Sequence, residues 1–323
     1  MTDDCQLALL DMLLRVDAPR TPHVLAQGLH VKPSDVHAGI TALSASGCQF
    51  DTHPQHGIRL MTTGLGCWAD YIESRHQNRI GQSLHVYRET ASTQSIARQL
   101  VAAAPDTAGG HVVVAGHQTD GRGRLGRRWF APAGAALLTT LIFRSATMEI
   151  DRLSLAACCA VVEAIELTGP ITAQIRWPND VLLNGRKAAG ILVEIADHAA
   201  LIGIGINVNM QREDRPADLR STAVSLAEVG VDVDRLLLLD NLLHRIHHWL
   251  NTNDDALLAD TWRQRSVLLQ QQITVQTDGR QLCGRVIDID PGRGLLLDVQ
   301  RGPVVTLPAM TTTIIEAPGM SHG

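Results

Sequence analysis

An Asn-Gly dipeptide, Asn184-Gly185, stands between two apolar runs, and this juxtaposition restricts the fold more than any other local feature. The pair suits the tight turn of a hairpin, so "DVLLN" (180–184) and "AAGILVEIA" (188–196) are predicted to be neighbouring antiparallel strands. "ALIGIGINVN" (200–209) follows at once, and "HVVVAG" (111–116), "ALLTTLIF" (136–143) and "AQIRW" (173–177) precede them. "LSLAACCAVVEAIEL" (153–167) and "DRLLLLDNLLHRIHHWL" (234–250) have the length and apolar repeat of helices. Hairpins mixed with helices predict an α+β unit around a largely antiparallel or mixed sheet, spanning 85–268.

The flanking segments differ from this centre. Over 1–62 two short helices, "LALLDMLL" and "PHVLAQGL", precede a third that opens at Pro33 and repeats Val36, Ile40 and Leu43 on one face. "CQFDTHPQHGIRLM" then reads as two short strands about a Pro/Gly turn. This is the outline of a winged helix-turn-helix, with the helix-turn-helix at 22–41, opened by Pro22 and closed by Thr41. Its charges do not favour nucleic acid: Arg15, Arg20, Lys32 and Arg59 face six aspartates, and the exposed side of the third helix offers Ser34, Asp35, His37, Ala38 and Thr41. Phosphate contacts rest on Lys and Arg, so a packing or dimerisation module stays open beside a DNA-binding one. Residues 63–84 read as a connector with a short helix. Over 269–323, "ITVQT", "CGRVIDID", "GLLLDV" and "VVTL" alternate with the turns "TDGR" and "PGRG", predicting a small β-barrel.

At 323 residues a chain of two or three domains is expected, and its net charge of −5 confines any nucleic-acid contact to a local patch. Six cysteines without a CxxC pair argue against a disulfide or zinc framework and fit a reducing cytosol. No leader and no apolar run long enough to span a membrane is evident, so the expected location is cytoplasmic.

The stretch "GRGRLGRRWF" (121–130) carries Gly121, Gly123 and Gly126 in the spacing of a dinucleotide fingerprint, with Arg122, Arg124, Arg127 and Arg128 among them. That fingerprint needs a helix opening at its last glycine. Pro132 and Gly134 follow instead, and no P-loop pattern is present. A solvated surface loop and a nucleic-acid patch remain alternatives. Glycines that let the backbone close over a ligand, with forked arginine donors between them, suit a phosphate better. In "IRWPNDVLLNGRKAAGILVE" (175–194), Asn179 and Asp180 start a strand and Lys187 follows the hairpin turn, an arrangement suited to a fixed electrophile-activating cation.

Together with "STQ" (92–94) and "GIGINVN" (203–209), these stretches resemble the biotin–protein ligase family, in the order that family has them. With the N-terminal module, the chain is similar to the bifunctional members that are also biotin-operon repressors. The resemblance implies a C-terminal SH3-like β-barrel and a ligase that joins biotin to ATP as biotinyl-5′-AMP, then passes biotin to a lysine of biotin carboxyl carrier protein of acetyl-CoA carboxylase. It implies Lys187, Arg124 and Asp180 as catalytic. It places Ser92, Thr93, Gln94, Gln118, Arg122, Gly123, Arg124 and Lys187 at biotin, and Arg124, Arg127, Trp129, Asn179, Asp180, Lys187 and Asn207 at the nucleotide. Gln94 stands where the family more often has Asn, and Arg176 where it has Lys. "QREDRPADLRST" (211–222) would be a second loop ordering over the adenylate. Mg²⁺ would arrive with ATP, without a protein metal cage. Operator DNA and a ligand-promoted homodimer are the further partners implied, and a biotin-sensing DNA-binding regulator with weak or no ligase activity is the alternative. His244 and His248 have the spacing of a metal pair but lie opposite the apolar face of Leu239, Leu243, Ile246 and Leu250. Cys158-Cys159 falls inside an apolar helix and reads as core.

Overall fold

The computed structural model describes residues 3–16, 18–53, 55–145, 149–299 and 302–318. The N-terminal part comprises α1 (Asp3–Leu14), α2 (Pro22–Leu29) and α3 (Pro33–Ala45), then an antiparallel hairpin of β1 (Gln49–His53) and β2 (Gly57–Thr62). Thr21 caps α2 by accepting from the Val24 amide, and His30 ends it in the left-handed region. Leu9, Leu10, Leu25, Val36 and Leu43 are fully buried, with Ile40 packed against them. Ser34, His37, Ala38 and Thr41 are exposed on α3, whereas Asp35 accepts from the Lys32 amide at 3.1 Å. Pro54, expected in the hairpin turn, lies outside the described residues.

A short helix, α4 (Trp68–Arg75), leads to the central elements β3 (Ser83–Tyr87), α5 (Thr93–Ala103), β4 (His111–Ala115), β5 (Ala136–Phe143), α6 (Ile150–Glu166), β6 (Gln174–Arg176), β7 (Asp180–Leu183), β8 (Arg186–Ala196), β9 (Ala199–Asn207), α7 (Arg235–Asn251) and α8 (Asp255–Arg265). The strands form one sheet in the order β3-β4-β5-β9-β8-β7-β6. Only β3 and β4 pair in parallel, so the sheet is mixed. Asn184 and Gly185 have φ of 49° and 74°, the turn that the dipeptide predicts.

Alternation along the strands divides the sheet between two layers. Val112, Val114, Leu141 and Ile202 share a core with α6 and α7. The intervening Val113, Ile142 and Leu201 pack with Ala97 and Val101 of α5. Helix α6 is apolar almost all round because it contacts β6, β7, β8, α7 and α8; Cys158 and Cys159 are both fully buried in it. The single helix α5 covers only the β4–β5–β9 end of its face. Beyond α5, the paired strands β8 and β9 carry the glycines Gly190 and Gly205 on that face instead.

The third part is a five-stranded antiparallel sheet of β10 (Gln272–Thr277), β11 (Arg280–Asp290), β12 (Gly294–Asp298), β13 (Val304–Leu307) and β14 (Thr312–Glu316), in the order β13-β12-β11-β10-β14. Arg263 of α8 binds Asp288 of β11 through both carboxylate oxygens at 2.7 and 2.8 Å, and Asp151 of α6 accepts from the Ala309 amide at 2.6 Å. The N-terminal part is tied down as closely. Thr63 donates to the Asp234 carboxylate from amide and hydroxyl, at 2.7 and 2.8 Å, while Asp234 also caps α7. Asp240 of α7, 1% exposed, takes Arg75 and His76 of the α4 segment. No helix is long and apolar enough to cross a membrane among the described residues.

Candidate active site

The glycines of β8 and β9 form the floor of a cavity of about 330 Å³. Gly190 and Gly205 are register partners, and a Cβ at Gly205 would stand 2.6 Å from the Trp129 indole. A side chain at either position would close the space that the indole occupies. Trp129 is fixed by its amide, which donates to Gly121 O at 2.9 Å. Gly123 N donates to Arg127 O at 2.7 Å, so 121–129 folds into a narrow loop whose tip holds Leu125 and Gly126 at positive φ. Gly126 is thus needed for a left-handed turn, and not for opening a helix.

Charge is concentrated beside this floor. Asp180 begins β7, with Lys187 Nζ 2.5 Å from one carboxylate oxygen and Arg176 Nη2 2.9 Å from the other. Burial works to raise the Asp180 carboxyl, but Lys187 and then Arg176 hold it below the usual carboxylate range. Lys187 sits beside the irregularity in the β7–β8 pairing and lies 5.6 Å from the centre of the Trp129 ring. Its backbone exchanges hydrogen bonds with the 222–224 segment, donating to Thr222 O and accepting from Val224 N. Arg124 reaches across the cavity mouth to Asn179 Oδ1 at 3.3 Å and to the carbonyls of Ala309 and Thr312. Burial lowers its pKa from the ordinary arginine value, which leaves the guanidinium charged at any neutral pH.

The opposite wall is built by the start of α5. Gln118 Oε1 accepts from the Thr93 amide at 2.7 Å and the Thr93 hydroxyl at 3.0 Å, and Thr140 donates to Thr93 Oγ1 at 2.8 Å. Gln94 is 4% exposed and donates to the carbonyls of Leu192 and Leu201 and to Glu194. Its Oε1 is buried with no hydrogen-bond partner. A buried amide oxygen of this kind asks for a donor N–H from a ligand.

Ser92, Thr93, Gln94, Gln118, Arg122, Gly123, Arg124, Arg127, Trp129, Asn179, Asp180 and Lys187 all line this one cavity. Asn207 does not: it is 4% exposed, and its amide donates to Val224 O at 3.1 Å and Lys187 O at 3.4 Å. Leu219 and Thr222 bring the 211–222 segment to the cavity, where a second loop is expected, and Ala223 lines it next to them. That segment is anchored by Arg215, 2% exposed and paired with Glu228. Thr313 and Ile314 of β14 also line the cavity, and nothing local in the sequence signals them. His244 and His248 lie on the exposed side of α7, away from the cavity.

Chemically, this is an anion-receiving site with an apolar, glycine-lined floor. One acidic residue, Asp180, faces five arginines and a lysine among the cavity-lining residues. Such a site lowers the repulsion between a carboxylate and a phosphate brought into contact.

Comparison with known proteins bears on which anions these are. A model of the biotin/lipoate A/B protein ligase family matches residues 88–210, the span containing the glycine floor, the arginine loop and Lys187. The bifunctional ligase/repressor BirA of Bacillus spizizenii is 33% identical over 234 residues, covering 69% of this chain and 71% of that protein. The biotin–[acetyl-CoA-carboxylase] ligase of Mycobacterium tuberculosis is 36% identical over 236 residues, covering 69% of this chain and 86% of that one. Among solved structures, the biotin protein ligase of Aquifex aeolicus in complex with biotin and ATP superposes with a TM-score of 0.63 at 25% identity, covering 72% of this chain and 97% of the other. The chain belongs to the biotin–protein ligases of the biotin/lipoate A/B protein ligase family.

Proposed function

We propose that this chain is an ATP-dependent biotin–protein ligase, and that Lys187, held over the glycine floor by Asp180, is the centre of its chemistry. The observation that carries this reading is the placement of Lys187 and the arginine loop around a cavity whose far wall holds the unpartnered Gln94 oxygen. Biotin lies along the floor, its ureido group toward Ser92, Thr93, Gln94 and Gln118. Its carboxylate meets Lys187 beside Arg122, Gly123 and Arg124. ATP enters beside Trp129 and Asn179, with Arg124 and Arg127 facing the phosphates.

The biotin carboxylate attacks the α-phosphorus, giving biotinyl-5′-AMP, and the bond to pyrophosphate breaks. Lys187 offsets the charge of both reacting anions. As its Nζ turns to them, one Asp180 oxygen loses its partner and becomes an acceptor facing the incoming lysine of biotin carboxyl carrier protein. That amine takes the biotinyl group and AMP leaves. Mg²⁺ comes with the phosphates and water. This fits the cavity, where the single lining carboxylate already has a cation on each oxygen. Asn207 acts at one remove by clamping the Lys187 backbone to the 222–224 segment.

The same proposal divides the chain into a winged helix-turn-helix over 1–62, a connector over 63–84, a ligase domain over 85–268 and an SH3-like barrel over 269–323. The winged module contacts operator DNA in a ligand-promoted homodimer joined sheet to sheet, and the protein works in the cytoplasm. Biotin-dependent exchange of labelled pyrophosphate into ATP tests the first step. Exchange that requires biotin and Mg²⁺ is expected; biotin binding without exchange would favour a sensor over a ligase.

A further inference from the structure

Outside the cavity, two buried sulfurs touch. Cys48 closes the corner between α3 and β1, and Cys67 immediately precedes α4; their Sγ atoms are 3.6 Å apart, in hydrogen-bond contact. The approach is imposed by backbone, not by flexible side chains. A Cβ at Gly64 would stand 2.2 Å from Ser46 O, and one at Gly66 2.8 Å from the same atom. Gly47, at φ 94°, comes within the same contact. The Gly64 amide donates to Cys48 Sγ at 3.4 Å, and Cys67 Sγ lies 3.1 Å from Gly64 O. Cys48 and Cys67 are 5% and 3% exposed, so an oxidant reaches them only when this corner opens locally.

We infer that Cys48 and Cys67 are a redox modification site, forming a reversible intramolecular disulfide when the protein meets a small peroxide. To form the bond the sulfurs must close from 3.6 Å to about 2.05 Å. The step balances with peroxide as the oxidant. The Cys48 sulfur attacks one peroxide oxygen, the O–O bond breaks, and Cys48 becomes a sulfenic acid as the first water leaves. The Cys67 sulfur then attacks the Cys48 sulfur, the S–O bond breaks, and the hydroxyl leaves with the Cys67 proton as the second water. Two thiols are oxidised and one peroxide is reduced. The division of roles follows from the hydrogen bonds: Cys48 Sγ accepts from the Gly64 amide and its bond with Cys67 holds it below its ordinary range, while Cys67 donates to Gly64 O and is pushed up by the bond with Cys48 and by burial.

The position gives the bond a consequence. Thr63, four residues before Cys67, is bound to Asp234 at the start of α7, and the Trp68 indole donates to the Thr63 hydroxyl at 3.0 Å. A Cys48–Cys67 disulfide therefore staples the N-terminal module to a turn already fixed on the catalytic part. It limits the module's freedom without touching the cavity.

The test is peptide mapping of the full-length protein after graded hydrogen peroxide, with trypsin and no reductant. Cleavage after Arg59 separates the two cysteines, so the disulfide appears as two joined peptides, two mass units below their reduced sum and parted by dithiothreitol. In Cys67→Ser the joined species should vanish, and Cys48 should be trapped by a sulfenic-acid-directed dione. Slower amide exchange over 46–68 in the oxidised protein, with the cavity segments unchanged, is the expected second readout. Oxidation confined to Cys283 and Cys5, with Cys48 and Cys67 still free thiols, would overturn the proposal. So would overoxidation of Cys48 in the unsubstituted protein without the joined peptides. Neither readout depends on ligase activity.

Discussion

Lys187 is 31% exposed at its side chain, so its removal leaves the core intact. Lys187→Ala is expected to lower the adenylation rate by about 10²–10³-fold, as loss of one fixed charge stabiliser does elsewhere. Single-turnover formation of biotinyl-5′-AMP measures it, and a rate within a factor of three of the parent would remove Lys187 from its role. Gly205→Ala is a steric test of the floor. The new Cβ meets Trp129 at 2.6 Å, so the indole must move; weaker biotin or ATP binding and a shifted tryptophan emission are expected. The Asp180 carboxyl is held low by Lys187 and Arg176. A depressed carboxyl stays ionised until pH falls through its folded value, below the ordinary carboxylate value of about 3.9. An adenylation profile between pH 5 and 8 should therefore show no inflection that Asp180→Asn abolishes. At this scale most cavity residues were legible because reactive types cluster in "GRGRLGRRW" and "RWPNDVLLNGRK". Asn207 was legible as a polar residue in a glycine-rich strand, but not as a clamp, since its partners at Lys187 and Val224 are set by sheet register.

At the scale of elements, the hairpin logic of β7, β8 and β9 carried over because adjacent antiparallel strands need only a turn and alternating apolar runs. Three central elements, β3, α5 and α8, were not anticipated. The strand "SLHVY" is short and interrupted by His85, and its parallel partner β4 lies beyond a helix. Helix α5 begins inside the "STQ" motif, where polar residues that serve the site mask a helix start. The last strand, "TTIIE", is also short, and it brings Thr313 and Ile314 to a cavity whose other walls, ending at Ala223, lie far away in sequence. Asn207→Ala tests the clamp between β8 and 222–224. Loss of the buried bond to Val224 O and the half-buried one to Lys187 O should destabilise the protein by about 1–3 kcal/mol and slow adenylation. Urea unfolding and the same single-turnover assay read both, and an unchanged midpoint would show that the clamp carries no weight.

Across the whole molecule, the buried Asp240 joins the α4 segment to α7. Burial tends to raise its carboxyl, but the bonds from His76 and Arg75 hold it below the ordinary range. Its contribution is present above the unfolded value of about 3.9 and is lost as pH falls through the depressed folded value. Asp240→Asn should cost about 3–5 kcal/mol at neutral pH, as breaking one side of a buried pair does, and its penalty should shrink in acid. Melting temperatures of the two proteins between pH 3 and 7 measure this, and a penalty independent of pH would contradict it. Removing residues 1–62 should leave ligation in place while abolishing operator binding. The charge count of that module argues for a modest DNA affinity, because α3 presents Ser34, His37, Ala38 and Thr41 and no arginine. Whether the cavity both activates biotin and passes it on is read by transfer of labelled biotin to a biotin carboxyl carrier domain, with ATP and Mg²⁺ supplied or withheld, in the parent protein and in Lys187→Ala. Label is expected on one carrier lysine only with ATP and Mg²⁺, with a loss of at least about tenfold in the variant, which lacks the fixed charge. Biotin bound tightly with no label transferred under any of these conditions would contradict that expectation.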